Sequence, residues 1–228
     1  MPEAAAAILV RRLSKSFGRR AVLRRIDARV AEGESLVVTG ANGSGKTTLL
    51  GCLASLVRPT SGEVYWFGRP AGGDPAAQEL VGMVAHENRL YPHLTLRENL
   101  VFAARMHGVP WPGRRADELL EDAGLGPHAA RMPPALSRGM RQRAAVARAL
   151  VHDPPILLAD EPFAGLDTAG ADWLADRLLE LRARGRTLCL VLHDEVLARR
   201  LADAVVQLRD GYLESRGAVV GPRLARAA

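Results

Sequence analysis

Residues 35–54 read SLVVTGANGSGKTTLLGCLA, and this stretch decides the fold. Its first five residues form a short β-rich run. A helix is expected over 46–56. Between them, Gly40 to Thr47 (GANGSGKT) fits the pattern G-x-x-x-x-G-K-[ST], and a strand before and a helix after are the context that gives this pattern meaning. The glycines let the backbone fold so that successive N–H groups point inward at phosphate oxygens. The nucleotide-binding set read here is Gly40, Asn42, Gly43, Ser44, Gly45, Lys46, Thr47 and Thr48. Lys46 reaches the β- and γ-phosphates, and the Thr47 hydroxyl suits Mg²⁺, a hard ion that takes oxygen ligands. Alone, the loop says only that the chain holds a nucleoside triphosphate.

Outward from the loop, strand and helix patterns alternate. PPILLAD (154–160) and TLCLVLH (187–193) are continuous apolar runs, the mark of strands buried on both faces. A helix is expected over about 168–184 between them. Residues 8–14 and 21–30 alternate apolar and polar about a turn near Gly18, as half-exposed antiparallel strands do. AVVQL (204–208) and the DG turn at 210–211 make a terminal strand pair. From about 86 to 137 the pattern is helical only, and TLRE (95–98) reads as a capping box. A Pro/Gly break at 108–113 precedes a second amphipathic helix, RRADELLEDAGL.

The expected fold is therefore α/β, of the P-loop NTPase type: a mostly parallel core sheet, N-terminal antiparallel strands and an inserted helical subdomain. One domain, 1–228, divides into a nucleotide-binding core (1–85 and 150–215), a helical subdomain (about 86–149) and a loose tail (216–228).

Composition narrows the class. The 228 residues carry 48% hydrophobic and 25% charged side chains, as a globular protein with a real core does. No apolar run reaches the ~18–20 residues of a membrane span. The start, MPEAAAAILV, lacks the basic n-region of a signal peptide. Cys52 and Cys189 lie in apolar segments without a pairing pattern and read as buried free thiols. The net charge is +6, from 31 basic and 25 acidic residues, and only Lys15 and Lys46 are lysines. The densest basic cluster, residues 11–29, could meet an acidic partner or simply form a solvated strand face. No aromatics are interleaved to stack bases, so no nucleic-acid partner is expected.

ILLADE (156–161) is an apolar strand ending in two acids. Asp160 can hold Mg²⁺ directly or through water. Glu161 can polarise a water for attack on the γ-phosphate. A strand-end Asp capping the next turn would explain one acid but not the pair. His193, at the tip of the next strand, is aimed at the γ-phosphate or is a core histidine satisfied by backbone. LSRGMRQR (136–143) opens a helix with a Ser and a Gly, which is the grammar of a second anion site.

That second site is explained by a resemblance. The order GANGSGKT, LSRGM (136–140), ILLADE, GLD (165–167) and His193 resembles the ATP-binding subunits of ABC transporters over nearly the whole chain. The resemblance implies Walker A, signature, Walker B, D-loop (with Asp167) and switch-histidine motifs in turn. It implies ATP and Mg²⁺, and two copies packed head to tail, so that Ser137, Arg138, Gly139 and Met140 of each chain close over the ATP of the other. Here Arg138 and Met140 depart from the usual Gly-Gly-Gln ending. Phe17, in SKSFG, occupies the place of an adenine-stacking aromatic, or is an ordinary hairpin residue. His86, followed by Glu87, stands where the family usually has a glutamine that meets Mg²⁺ through water and couples to the helical lobe. It could also be a tolerated surface substitution. Its imidazole can offer a nitrogen to that water, with a charge that varies with pH.

Together with LTLRENLVF (94–102), His86 resembles the ATPase subunits of haem exporters used in cytochrome c maturation. The expected partners are a second copy of the chain and integral membrane subunits on other chains, with the ATPase peripheral on the cytoplasmic face of the membrane. Two rival readings remain. A soluble, non-transport ABC ATPase commonly carries two cassettes in one chain. A P-loop kinase or GTPase would lack LSRGM, and the N-K-x-D base-reading motif is absent.

Overall fold

The computed structural model describes residues 6–72, 75–86 and 88–218. The elements run β1 (Ala6–Phe17), β2 (Arg20–Ala31), β3 (Ser35–Thr39), α1 (Lys46–Leu53), β4 (Ser61–Trp66), β5 (Arg69–Pro70) and β6 (Val81–Val84). Helices α2 (Leu96–Met106), α3 (Pro112–Asp122) and α4 (Arg138–Ala149) follow. The chain closes with β7 (Ile156–Asp160), α5 (Thr168–Ala183), β8 (Thr187–Val191), α6 (Glu195–Leu201), β9 (Ala204–Arg209) and β10 (Tyr212–Ala218).

Two sheets result. The first has the order β2-β1-β4-β5 and is antiparallel. The second has the order β10-β9-β3-β8-β7-β6, parallel except for the β9–β10 hairpin. The two-faced burial expected of the apolar strings is seen residue by residue. Leu36, Val38, Ile156, Leu158, Cys189 and Val191 pack under the antiparallel sheet and α1, together with the buried Trp66. Val37, Leu157, Ala159, Leu188 and Leu190 face the other way, against α5 and α6. Leu96, Leu100, Leu120, Leu125 and Ala144 belong to a third cluster that joins α2, α3 and α4.

The basic residues of β1 and β2 lie outside. Arg11, Arg12, Arg20, Arg24 and Arg25 are exposed while Leu13, Leu23, Ile26 and Val30 point inward. Cys52 and Cys189 are free and buried. Burial raises both thiols, Cys52 to about 11 and Cys189 to about 12, and keeps them protonated and inert. No helix among the described residues is long and apolar enough to cross a membrane.

Several boundaries differ from those read in the sequence. Helix α1 stops at Leu53 rather than 56, because Ser55 turns left-handed (φ 56°). The break before α3 ends earlier than expected: Trp111 is left-handed and Pro112 opens the helix, where its missing N–H costs nothing. His193 lies two residues beyond the end of β8 rather than at its tip. Strand β10 runs to Ala218, past the expected start of the loose tail at 216; residues 219–228 and Glu87 lie outside the described residues.

Candidate active site

Strands β3, β8, β7 and β6 are neighbours and parallel, so their C-terminal ends share one edge of the sheet. That edge is where ligands bind in open α/β sheets. The 40–48 loop follows β3, Asp160 and Glu161 end β7 and begin its turn, His193 follows β8, and His86 follows β6.

The loop after β3 requires its glycines. Gly40 has φ 147°, and a Cβ there would collide with the Leu208 carbonyl oxygen. Gly45, the residue capping α1, has φ 107° and lies within 3.2 Å, measured from an ideal Cβ, of Val22 and Leu23. Asn42 and Gly43 are exposed at the loop tip, and Thr48 is half-buried in the first turn of α1. Lys46 is buried at 6% exposure, and its ammonium donates to the Gly40 and Ala41 carbonyls at 2.9 and 3.0 Å. Among the described residues it meets only these neutral carbonyls of its own loop, and a buried ammonium so placed is suited to an anion. The Ser44 hydroxyl is buried beside it with no hydrogen-bond partner among the described residues.

Asp160 is 1% exposed, and its Oδ2 has no hydrogen-bond partner among the described residues. A buried carboxylate oxygen without a donor is costly unless it meets a cation. Helix α1 packs against β7, and Thr47, its second residue, is exposed. Two hard oxygen donors of this kind fit Mg²⁺.

Glu161 is the strained residue of the site. Its φ is +49°, rare for a residue with a side chain. Backbone bonds hold it: its N–H donates to Val191 O at 3.2 Å, and its carbonyl accepts from Ala164 N at 3.0 Å. Its carboxylate stands between two imidazoles. His193 Nε2 is 2.7 Å from Oε1, and His86 Nδ1 is 3.9 Å from Oε2. An ionised carboxylate only accepts, so with Glu161 in that form the contact needs the proton on His193 Nε2. The sequence reading aimed His193 at a phosphate and did not pair it with Glu161.

The 136–140 turn follows no strand of that edge and opens α4. Ser137 is the N-cap of α4, and its hydroxyl accepts the Met140 N–H at 3.2 Å. Ser137 and Arg138 are exposed, and α4 carries no acid in its first turn. Gly139 approaches the 165–167 turn so closely that a Cβ would lie 2.9 Å from Gly165 O. Asp167 caps α5, accepting the Gly170 N–H at 2.9 Å. Phe17 is 53% exposed at the end of β1, with Lys15 Nζ 4.7 Å from its ring centroid.

A residue that the sequence reading passed over belongs here. Gln142 is 4% exposed and donates through Nε2 to Pro162 O at 2.9 Å. A polar side chain inside a strongly helical run of Arg and Ala carries no local signal of burial. Only its spacing of five residues from Ser137, which turns it toward the core, hints at this role.

The chain is similar to known proteins over most of its length. The model of the family described as ABC transporter matches residues 23–164, more than half of the chain. The lipoprotein-releasing system ATP-binding protein LolD of Syntrophus aciditrophicus (strain SB) is 41% identical over 219 residues, covering 90% of this chain and 98% of that protein. The sulfate/thiosulfate import ATP-binding protein CysA of Caulobacter vibrioides is 38% identical over 217 residues, covering 92% of this chain and 64% of CysA. Among solved structures, the dimeric post-hydrolysis state of the ATP-binding cassette MJ0796 bound to ADP and Pi superposes with a TM-score of 0.87 at 30% identity, covering 94% of this chain and 99% of that one. Neither curated relative named here is a haem exporter, so the haem-export resemblance gains no support from them. The chain belongs to the ABC transporter family of ATP-binding subunits and is an ATPase.

Proposed function

We propose that this chain drives transport through membrane subunits on other chains, by hydrolysing ATP at two sites shared between two head-to-tail copies. In each site Lys46 and the N–H groups of the 40–48 loop hold the phosphates, and Phe17 stacks on adenine. Thr47 and Asp160 would hold Mg²⁺, with His86 reaching it through water; the ion would offset charge on the phosphates. Glu161 takes the proton of the attacking water, and His193 orients it. Ser137 and Gly139 of the second copy, at the N-terminus of α4, close over the γ-phosphate, flanked by Arg138 and Met140. Asp167 and its turn line the contact between copies.

One observation carries this reading. Lys46, Asp160, Glu161 and His193 share one sheet edge, whereas Ser137 sits exposed at a helix N-terminus with no acid in its first turn. A phosphate site that faces outward is open to a phosphate held by another chain. Dimeric MJ0796 is a relative of the same fold.

For the cargo, two readings differ in support. Haem export rests on His86 and LTLRENLVF alone. Lipoprotein release rests on 41% identity across nearly the whole of LolD, but CysA at 38% serves sulfate and thiosulfate, so identity at this level crosses cargoes. The membrane subunits select the cargo, and the helical subdomain of about 86–149 receives them. The chain then sits peripherally on the cytoplasmic face. Glu161→Gln tests the shared site: it keeps shape but not basicity. The variant sediments as a dimer in saturating MgATP and as a monomer without nucleotide. A monomer in both conditions refutes the arrangement.

A further inference from the structure

We propose that Gln142 is a positioning residue for Glu161: its buried amide holds the Pro162 carbonyl and fixes the strained turn that presents the carboxylate. The inference rests on the reading of Glu161 as the base.

Glu161 occupies a left-handed conformation that a side chain disfavours (φ 49°). Such strain persists only where the surroundings over-determine it. Two anchors are backbone bonds, Glu161 N–H to Val191 O and Ala164 N–H to Glu161 O. The residue between them in the turn is Pro162, buried, whose ring fixes its own φ and which has no N–H to offer. Its carbonyl is therefore its one polar handle. That carbonyl accepts Gln142 Nε2 at 2.9 Å inside the protein. A carbonyl cannot donate, so the amide nitrogen and not its oxygen faces Pro162.

The bond also has a direction in the fold. Gln142 and Ser137 lie on one helix, α4, about 140° apart around its axis at 3.6 residues per turn. Ser137 looks outward and Gln142 inward. The same helix touches the following turn again, where Gly139 meets Gly165 O and the alkyl part of Arg138 covers the face of Gly165. Arg138, which departs from the usual glycine, thus packs on the stretch that continues from Glu161. The helix that carries Ser137 and the turn that carries Glu161 are thus held together at two places. Gln142 touches no reacting atom, so it acts on turnover only through Glu161.

The test is a double-mutant cycle read by single-turnover hydrolysis of labelled ATP. Gln142→Met keeps the length and removes the donor. Gln142→Glu keeps the length and sets an acceptor against a carbonyl. Both should lower the hydrolytic rate by about 10- to 100-fold, with ATP Kd within about 2-fold of wild type. In the Glu161→Gln background, where the base is already absent, Gln142→Met should change the residual rate by less than about 2-fold. A wild-type rate for both single variants overturns the proposal, and so does an equal further loss in the Glu161→Gln background, which marks a merely structural role. If either variant unfolds at assay temperature, the other, scored by its melting curve and rate together, decides the question by the same criteria. A wild-type rate for Glu161→Gln itself would instead refute the base assignment, whatever Gln142 does.

Discussion

His193 Nε2 sits 2.7 Å from Glu161 Oε1 and is the shorter of two imidazole contacts to that carboxylate. The pairing links the ends of β7 and β8, the strands on which the site is built. With Oε1 held by His193, the second oxygen is the one nearer His86. His193→Ala should therefore lower kcat by about 10²-fold while ATP binding changes little, because the loop of 40–48 is untouched. Steady-state kinetics with a parallel nucleotide titration checks this.

The loop, the two buried strands and the capping box were legible because each is a local pattern. A glycine-lysine spacing, an unbroken apolar run and Thr95 three residues before Glu98 need no partner to be recognised, and the box closes as read, with Glu98 accepting from Thr95. Burial of Leu157 on one side of β7 and Leu158 on the other follows from the same run. Contacts across long stretches of chain were not legible. Gln142 meets Pro162 twenty residues away, and His193 meets Glu161 across thirty-two. The early end of α1 depends on left-handed Ser55, which no propensity of serine announces.

Lys46→Ala should abolish hydrolysis. The ammonium is buried and its partners among the described residues are only the Gly40 and Ala41 carbonyls, which are weaker acceptors than a phosphate. A charge-assisted hydrogen bond contributes about 1.5–3 kcal/mol to binding before any gain in the transition state is counted. Phosphate release by the purified variant should fall to background.

His86→Ala should uncouple more than it inactivates. His86 is more than half exposed and touches Glu161 only at 3.9 Å, while Lys46, Thr47, Asp160 and Glu161 all survive the change. Basal ATPase should fall by less than about 5-fold, and stimulation by the membrane subunits should fall much further. ATPase with and without those subunits in proteoliposomes measures both. Equal loss in the two conditions would assign His86 to the chemistry.

A stacked histidine pair sets a pH dependence of stability. The His107 and His152 rings lie 3.8 Å apart and nearly parallel, at the ends of α2 and α4. Burial lowers His152 to about 4, with His107 adding to the shift and the Val81 backbone and Asp153 opposing it. Burial also lowers His107, with Glu79 opposing and Arg148 adding. A lowered folded-state value means that the unfolded chain binds more protons between about 6.5 and 4. Stability therefore falls as pH drops through that window, by on the order of 1–2 kcal/mol after allowance for partial exposure. Melting curves at pH 7.5 and 5 should separate by several degrees, and His152→Phe should shrink the gap.

The central claim is that the Ser137 turn serves the ATP of a second copy and not its own. Ser137→Arg tests it most directly. The substitution puts a bulky cation at an exposed helix N-terminus and leaves Lys46, Thr47 and Asp160 in place. Titration with a fluorescent ATP analogue, on monomeric Ser137→Arg and wild type, is the measurement, with turnover recorded on the same samples. The account predicts Kd within about 2-fold of wild type and turnover lost by 100-fold or more. A fall in affinity that matches the fall in turnover would mean that the turn binds its own chain's nucleotide, and would contradict the shared site.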